Sequence, residues 1–313
     1  MPAGQDGCGN RAAPDRTAVN REPLGHTVPR RLEGPEPPSG SPAAEVADGA
    51  MNFRPRPSLY WVRTPQIDLS GTTAIVTGAG RGFGRAVAVA LRAAGATVVG
   101  VARSASDLTE VGSLLGDGFV PVEADAADAA VAMEVLERHR PRTLVLNAGA
   151  TPRMGSLREQ TWQSFSRNWE VDTQQAFHWS QAALRVPLPA GSTVVTMSSG
   201  AALRGSPLSG GYAGAKATVR FITAYAGQES QEAGLGIRFV AVLPQLTPET
   251  ALGQAGMRAY AKQQGVDMAD FVEARRPVLT PDQVGQAVVR LSTSPDHSHP
   301  AYLLTANGLQ EVP

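Results

Sequence analysis

The stretch that most limits the folds open to this chain runs from Thr73-Ala74-Ile75-Val76-Thr77 through Gly78-Ala79-Gly80-Arg81-Gly82-Phe83-Gly84 into Arg85 to Ala94. The first five residues are short, apolar and β-rich, and the last ten have helical periodicity. Between them, the glycines permit positive φ and close backbone approach. A helix that opens after such a turn presents free N–H groups and a partial positive charge, which suits a pyrophosphate. A glycine-rich turn alone also reads as a plain structural turn. Here a second strand, Thr97-Val98-Val99-Gly100-Val101-Ala102, arrives one helix later, as a βαβ nucleotide unit requires.

The same alternating pattern continues over residues 68–310, so a single folded domain is expected there despite the 313-residue length. Lys+Arg 28 balances Asp+Glu 28, which gives no footprint for nucleic acid or an anionic membrane and favours small ligands. Residues 1–50 hold eight prolines and no Phe, Trp or Tyr, too little apolar area to offset chain entropy, and are expected to be disordered. Residues 51–67, with Phe53, Tyr60 and Trp61, read as an arm, and Met51 as an alternative translation start. No secretory or spanning segment is evident, and the lone Cys8 agrees with a reducing, cytoplasmic setting. The five histidines are scattered without thiol partners, so no metal site is expected.

Ser199 ends the β run Thr193 to Met197, and Tyr212 and Lys216 follow four residues apart in a helical stretch. Positions i and i+4 share one helix face, so an ammonium can lie beneath a phenol and favour its ionised form. A group whose ordinary pKa is about 10 then trades protons nearer neutrality. Only two lysines, Lys216 and Lys262, stand among the 28 basic residues. Composition does not explain a lysine at this position, and a planar guanidinium is no substitute for a compact ammonium under a ring. The bland reading, an ordinary amphipathic helix pair, is outweighed by position downstream of the glycine loop.

The spacing Thr-Gly-x-x-x-Gly-x-Gly from Thr77, then Leu146-Asn147-Ala148-Gly149 after a later strand, then Ser199, Tyr212 and Lys216, resembles the short-chain dehydrogenase/reductase family over about residues 68–308. The resemblance implies an α/β fold: a Rossmann-like, doubly wound parallel sheet of about seven strands with helices on both faces. It implies an alcohol/carbonyl oxidoreductase in which Ser199 holds the substrate oxygen, Tyr212 is the general acid/base and Lys216 assists Tyr212 and binds the nicotinamide ribose. Ser198 is the alternative to Ser199, and the thirteen-residue interval to Tyr212 favours Ser199. Cofactor contacts are implied at Thr77, Gly78, Gly80, Arg81, Gly82, Phe83, Gly84, Asn147, Ala148, Gly149 and Pro244. Asp125 matches the aspartate beside the adenine, or else caps the helix that begins near Ala129. Thr247 and Thr250 compete for the carboxamide-binding position, and spacing does not decide between them.

Charge argues for the cofactor. Readers of NAD carry an acid at the end of the second strand, and this chain has Ala102-Arg103-Ser104 there. Arg103 and Arg81 match positions that are basic in NADP-preferring members, where they clamp a 2′-phosphate. NADP(H) is therefore expected in preference to NAD(H).

Two residues depart from the family pattern. Asp172 stands where the fourth catalytic member is an asparagine, which adds a charge to the proton relay. Gln245 stands where Pro-Gly is usual after the strand Ile237 to Leu243. A helix from Thr161 to Val186, with Trp162, Trp169, Trp179, Phe165 and Phe177, is expected to serve a homodimer or homotetramer contact. Residues 246–278 occupy the place of a substrate lid. The substrate is expected to be a small carbonyl or alcohol. An NADP-sensing regulator or scaffold, and an NAD-dependent sugar-nucleotide epimerase or dehydratase, are the rival readings.

Overall fold

A computed structural model describes residues 67–293 and 298–312. The expectations for the tail and for the arm up to residue 66 lie outside the described residues. Strand and helix alternate at first: β1 (Thr73–Thr77), α1 (Gly82–Ala93), β2 (Thr97–Ala102), α2 (Ala105–Leu115), β3 (Phe119–Glu123), α3 (Ala129–His139) and β4 (Thr143–Leu146). The chain continues through α4 (Trp162–Asn168), α5 (Gln174–Arg185), β5 (Thr193–Met197), α6 (Ala201–Arg204), α7 (Tyr212–Glu232) and β6 (Arg238–Pro244). Two helices, α8 (Ala251–Gln264) and α9 (Met268–Glu273), precede α10 (Pro281–Thr293), β7 (Ala301–Thr305) and β8 (Gly308–Glu311).

The strands form one sheet in the order β3-β2-β1-β4-β5-β6-β7-β8. All neighbours are parallel except β7 and β8. The strand order therefore reverses between β1 and β4, where an open α/β sheet forms its crevice. The parallel, doubly wound sheet expected from the motifs is present, with eight strands in place of about seven. The extra strand arises because the chain turns at Asn307 and Gly308, where Gly308 has φ 112°, and pairs back antiparallel on β7.

Both faces of the sheet are covered, which explains why its strands read as nearly continuous apolar runs. Within β1, Ala74 and Val76 enter one core with Val87, Leu91, Val284 and Val288, while Ile75 enters the opposite core with Leu136, Leu144 and Trp179. The period-two alternation of a strand thus feeds two helical layers. On the first face α1 and α10 cross closely, because a Cβ at Gly285 would stand 2.7 Å from the Ala86 carbonyl oxygen. Capping residues fix the helix starts. Asp128 caps α3, accepting from the Ala130 N–H at 2.8 Å, whereas Asp125 accepts from Ala127 one turn earlier. Thr280 and Gln283 form a reciprocal capping box around Pro281, the first residue of α10.

The helix expected from Thr161 to Val186 is interrupted. Between α4 and α5, Trp169–Thr173 widens into a π-helical turn, and the Gln174 N–H reaches back five residues to the Trp169 carbonyl. Such turns insert one residue and rotate the side chains around them. Trp179 lies beyond it, fully buried, and its indole N–H donates to the Ala126 carbonyl at 2.8 Å, tying α5 to the connection after β3. Among the described residues, no helix is long and apolar enough to cross a membrane.

Replacing Trp179 by Ala is expected to cost about 3–5 kcal/mol, from the cavity and the orphaned carbonyl together. The shift of a urea unfolding midpoint at unchanged slope checks this.

Candidate active site

The carboxyl ends of β1, β4, β5 and β6 meet at the reversal of strand order. At β1, the buried Thr77 hydroxyl accepts from the Asn147 N–H at 2.9 Å and the Ala148 N–H at 3.1 Å, and it donates to the Gln175 side-chain oxygen. The Asn147 amide donates to the carbonyls of Thr77 at 3.1 Å and Gly78 at 3.2 Å. The Gln175 amide donates to the Ala148 carbonyl at 3.2 Å, closing the ring of contacts. Thr77, Asn147 and Ala148 thus form a seam that holds the end of β4 against the start of the glycine loop.

The loop itself is a tight cradle. Gly78 has φ 65° and Gly82 φ 54°, conformations that L side chains rarely adopt. A Cβ on Gly84 would run into the Gly78 carbonyl oxygen, and one on Gly80 would stand 2.7 Å from the Asp107 Cβ. At Gly82 the space is open: among the described residues the Thr250 methyl, 3.9 Å from the position a Cβ would take, is the one atom nearby. Helix α1 opens here on Arg81 with no side-chain hydrogen bond on its first N–H groups, the arrangement that accepts an anion. Phe83 is half-buried against the core of the α1 face.

Arg81 and Arg103 are both exposed at this end. Arg103 reaches Asp125 at 4.0 Å, a solvated pair of little energetic weight. Ser104 caps α2 by accepting from the Asp107 N–H at 3.2 Å. That bond places the Asp107 carboxylate, a group the sequence reading passed over, against the glycine loop.

The chemical end is assembled by the first turns of α7. The Lys216 ammonium donates to the Met197 carbonyl at 2.9 Å, and the Ser198 hydroxyl donates to the Lys216 carbonyl at 2.7 Å. Two bonds therefore moor α7 to the end of β5. Ser198 is consumed in this mooring and is buried, whereas the Ser199 hydroxyl, among the described residues, accepts from the Ala201 N–H at 3.2 Å and keeps its own proton for another partner. Lys216 lies 5.8 Å from the centre of the half-buried Tyr212 ring. Gly211, immediately before Tyr212, packs against the Phe165 carbonyl so closely that a Cβ would collide with it.

Asp172 comes from the π-helical turn and meets Lys216 at 3.1 Å, with 1% and 7% of the two side chains exposed. Burial pulls the Lys216 ammonium toward losing its proton, but the Asp172 charge, the Tyr212 phenol and the Asp172 hydrogen bond outweigh it and hold the group above the ordinary lysine range. The other Asp172 oxygen accepts from the Ala150 N–H at 2.8 Å. Asn168, one turn earlier and fully buried, donates to the Ala150 carbonyl at 2.7 Å and to Asp172 at 3.4 Å. Its own oxygen is buried without a partner among the described residues, a cost of about 1–3 kcal/mol. Sequence reasoning missed Asn168 and Gln175. The i to i+4 spacing of Asn168 and Asp172 was the available signal, and Gln175 had none.

Around the mouth, Pro244 is buried at the end of β6 and the Gly200 N–H donates to its carbonyl at 3.0 Å. The exposed Gln245 continues the sheet by donating its N–H to Leu304 at 2.8 Å. Thr247 is buried, with its hydroxyl donated to the Leu279 carbonyl, while Thr250 caps α8 above the glycine loop. Gly149, by contrast, lies next to Asp172, 3.0 Å from its carboxylate measured from a Cβ position. Residues 246–278 form α8 and α9 around a small core of Met257, Ala261 and Phe271. The Tyr260 hydroxyl bonds the Ser206 hydroxyl in the loop that leads to Tyr212.

The family model for short chain dehydrogenase matches residues 72–259, and the chain belongs to the short-chain dehydrogenase/reductase family. It is 31% identical to the L-xylulose reductase of Bos taurus over 223 residues, 68% of this chain and 88% of that protein. It is 34% identical to the D-erythrulose reductase of Gallus gallus over 144 residues, 45% of this chain, and spans only 57% of that relative's length. A solved structure of 3-ketoacyl-(acyl-carrier-protein) reductase from Brucella melitensis, complexed with NADH, superposes with a TM-score of 0.62 at 25% identity, covering 74% of this chain and 94% of that one.

Gly84→Ala forces a backbone shift in the cradle and is expected to destabilise the protein by about 1–3 kcal/mol while weakening dinucleotide binding. Thermal melts with and without NADPH separate the two effects, and an unchanged melting temperature would show that the loop is not braced as described.

Proposed function

We propose that this protein is an NADP(H)-dependent oxidoreductase that interconverts a ketone and an alcohol, with Tyr212 as general acid/base. The observation that carries the reading is the mooring of Lys216 to Met197, which fixes its ammonium 5.8 Å from the Tyr212 ring at the mouth of the sheet. Ser199, with its proton uncommitted, orients the substrate oxygen. Tyr212 gives that oxygen a proton in reduction and removes it in oxidation. Lys216 steadies the charge that forms on the phenol.

The residues present fit a dinucleotide: the glycine cradle and the uncapped start of α1 suit a pyrophosphate. When bound, the nicotinamide supplies or accepts the hydride. Gly78, Gly80, Gly82 and Gly84 would hold the pyrophosphate, with Thr250 above it, and Thr77, Asn147, Ala148 and Gly149 would border the ribose. Asp125 would lie on the adenine side and Pro244 and Thr247 would shape the nicotinamide side. The preference for NADP rests on the exposed Arg81 and Arg103, with Ser104 beside them, and on the lack of an acid at the end of β2. The Asp107 carboxylate beside Gly80 opposes it, and the solved relative is complexed with NADH.

A homodimer or homotetramer is supported by aromatic side chains left on the surface of α5 and α7: Phe177 is 47% exposed, Phe221 66% and Tyr225 56%. We place the protein in the cytoplasm on its cysteine usage.

The functional test is a fluorescence titration with NADPH and NADH, followed by a screen of small ketones with the tighter cofactor. Tyr212→Phe is expected to lower turnover by at least about a hundredfold, the scale of lost general acid catalysis, with NADPH affinity nearly unchanged; undiminished turnover would exclude the mechanism. Arg103→Ala is expected to weaken NADPH by about tenfold and NADH little. An equal effect on both cofactors would remove Arg103 from phosphate recognition.

A further inference from the structure

The charges around the glycine cradle do not all pair off. Arg85 in α1 meets Glu110 in α2 at 3.9 Å, and Arg103 after β2 meets Asp125 after β3 at 4.0 Å. Both are exposed, weak pairs. Among the described residues, Arg81 and Asp107 have no ion-pair partner. These two are the charged residues at the cradle itself: Arg81 lies within it, and Asp107 packs against Gly80.

The backbone holds Asp107 in place. It is the third residue of α2, and its N–H donates to the Ser104 hydroxyl at 3.2 Å. An acid at this position completes a capping box when its carboxylate also accepts from the N-cap N–H. Here it does not, and the side chain is turned to the loop instead. A Cβ placed on Gly80 would stand 2.7 Å from the Asp107 Cβ and 3.3 Å from one carboxylate oxygen. Half-buried, that carboxylate accepts no hydrogen bond among the described residues.

Neither structural contact explains the charge. Packing against Gly80 uses the Asp107 Cβ, and the cap of α2 uses the Asp107 N–H; an uncharged residue of similar size meets both needs. The rest of the cradle favours anions: α1 has no acid in its first turn and no side chain on its first N–H groups. A carboxylate fixed against such a loop works against that preference.

We propose that Asp107 is a specificity-determining residue of the dinucleotide site. Its charge weakens binding of the dinucleotide that carries a 2′-phosphate, and so limits the preference that Arg81 and Arg103 create. The proposal rests on the dinucleotide reading of the cradle and deepens it. Both dinucleotides carry the pyrophosphate, so repulsion from that group is common to them and cancels in the ratio of affinities. The 2′-phosphate adds about 1.5–2 negative charges to one of them. Arg81 adjoins Gly80 and Arg103 adjoins Ser104, so both cations proposed for that phosphate neighbour residues that touch Asp107. Repulsion between charges acts over a screening length of about 8–10 Å at moderate salt.

The test reads binding and needs no substrate. Dissociation constants for NADPH and NADH are measured by nucleotide fluorescence at one ionic strength for the full-length wild type, Asp107→Asn and Asp107→Glu. Asp107→Asn is expected to raise the preference for NADPH over NADH by about fivefold or more, and Asp107→Glu, which keeps the charge, to hold it within about twofold of wild type. A preference unmoved by Asp107→Asn overturns the proposal. An equal rise in Asp107→Glu overturns it too, because packing and not charge is then responsible. If Asp107→Asn fails to fold by circular dichroism, Asp107→Ala is read in the same way; failure of both shows that the fold itself needs the carboxylate and sinks the idea. A preference that moves as stated in a protein that reduces no ketone removes the catalytic reading and leaves this one standing. Ketone reduction with an unmoved preference does the reverse, and binding of neither dinucleotide ends both.

Discussion

The seam between β1 and β4 is the constraint on which the rest of the site depends. The sheet order reverses there, so the chain leaving the carboxyl ends of these two parallel neighbours turns to opposite sides and a crevice opens between them. One hydroxyl, that of Thr77, takes two backbone N–H groups from the β4 end and gives its proton to Gln175 on α5. In a buried setting each unmade bond would carry the desolvation cost of its group, so these polar contacts are obligatory once the strands meet. Asn147 completes the tie by binding the carbonyls that begin the glycine loop. The loop conformation, the uncapped start of α1 and the placement of the β4 end all follow from this small set of contacts.

A second constraint is electrostatic. Burying a lysine and an aspartate together costs desolvation that their attraction only partly returns, and losing one partner of such a pair costs about 3–5 kcal/mol. An ion pair with 1% and 7% of its side chains exposed is therefore not retained cheaply as ornament to the core. The surrounding structure spends further polar groups on it: the Ala150 N–H, the Asn168 amide with its unpartnered oxygen, and the Met197 carbonyl. The π-helical turn carries Asp172, buried, at the junction between α4 and α5.

Much of the fold was legible because the signals were local. The apolar run of β1, the glycine turn, the periodicity of α1 and the Thr280-Pro281 start of α10 are each decided within a few residues, by sterics and capping. The strand β8 was not legible. Gly308-Leu309-Gln310-Glu311 is short and mixed, and it becomes a strand only because the edge of β7 is there to pair with. The long aromatic helix was legible as a helix but not as an interrupted one, and its aromatic residues divided: Trp179 is core, while Trp162 is 78% exposed. Spacing placed Asp125 near a helix start without distinguishing it from Asp128, which makes the cap.

By itself the sequence determined which residues could do chemistry: the glycines that alone tolerate the loop's φ values, a hydroxyl at a strand end, and a tyrosine and lysine on one helix face. These are properties of residue type and short-range spacing, which the chain carries before it folds. What only the tertiary structure decided is how those groups are charged and committed. Ser198 is consumed by Lys216 while Ser199 is not, Thr247 is spent on Leu279, and Asp172 is brought to within 3.1 Å of an ammonium 44 positions along the chain. Hydrogen bonds and ion pairs between distant segments depend on distances of a few tenths of an ångström in a medium from which water is excluded, and no local pattern encodes them.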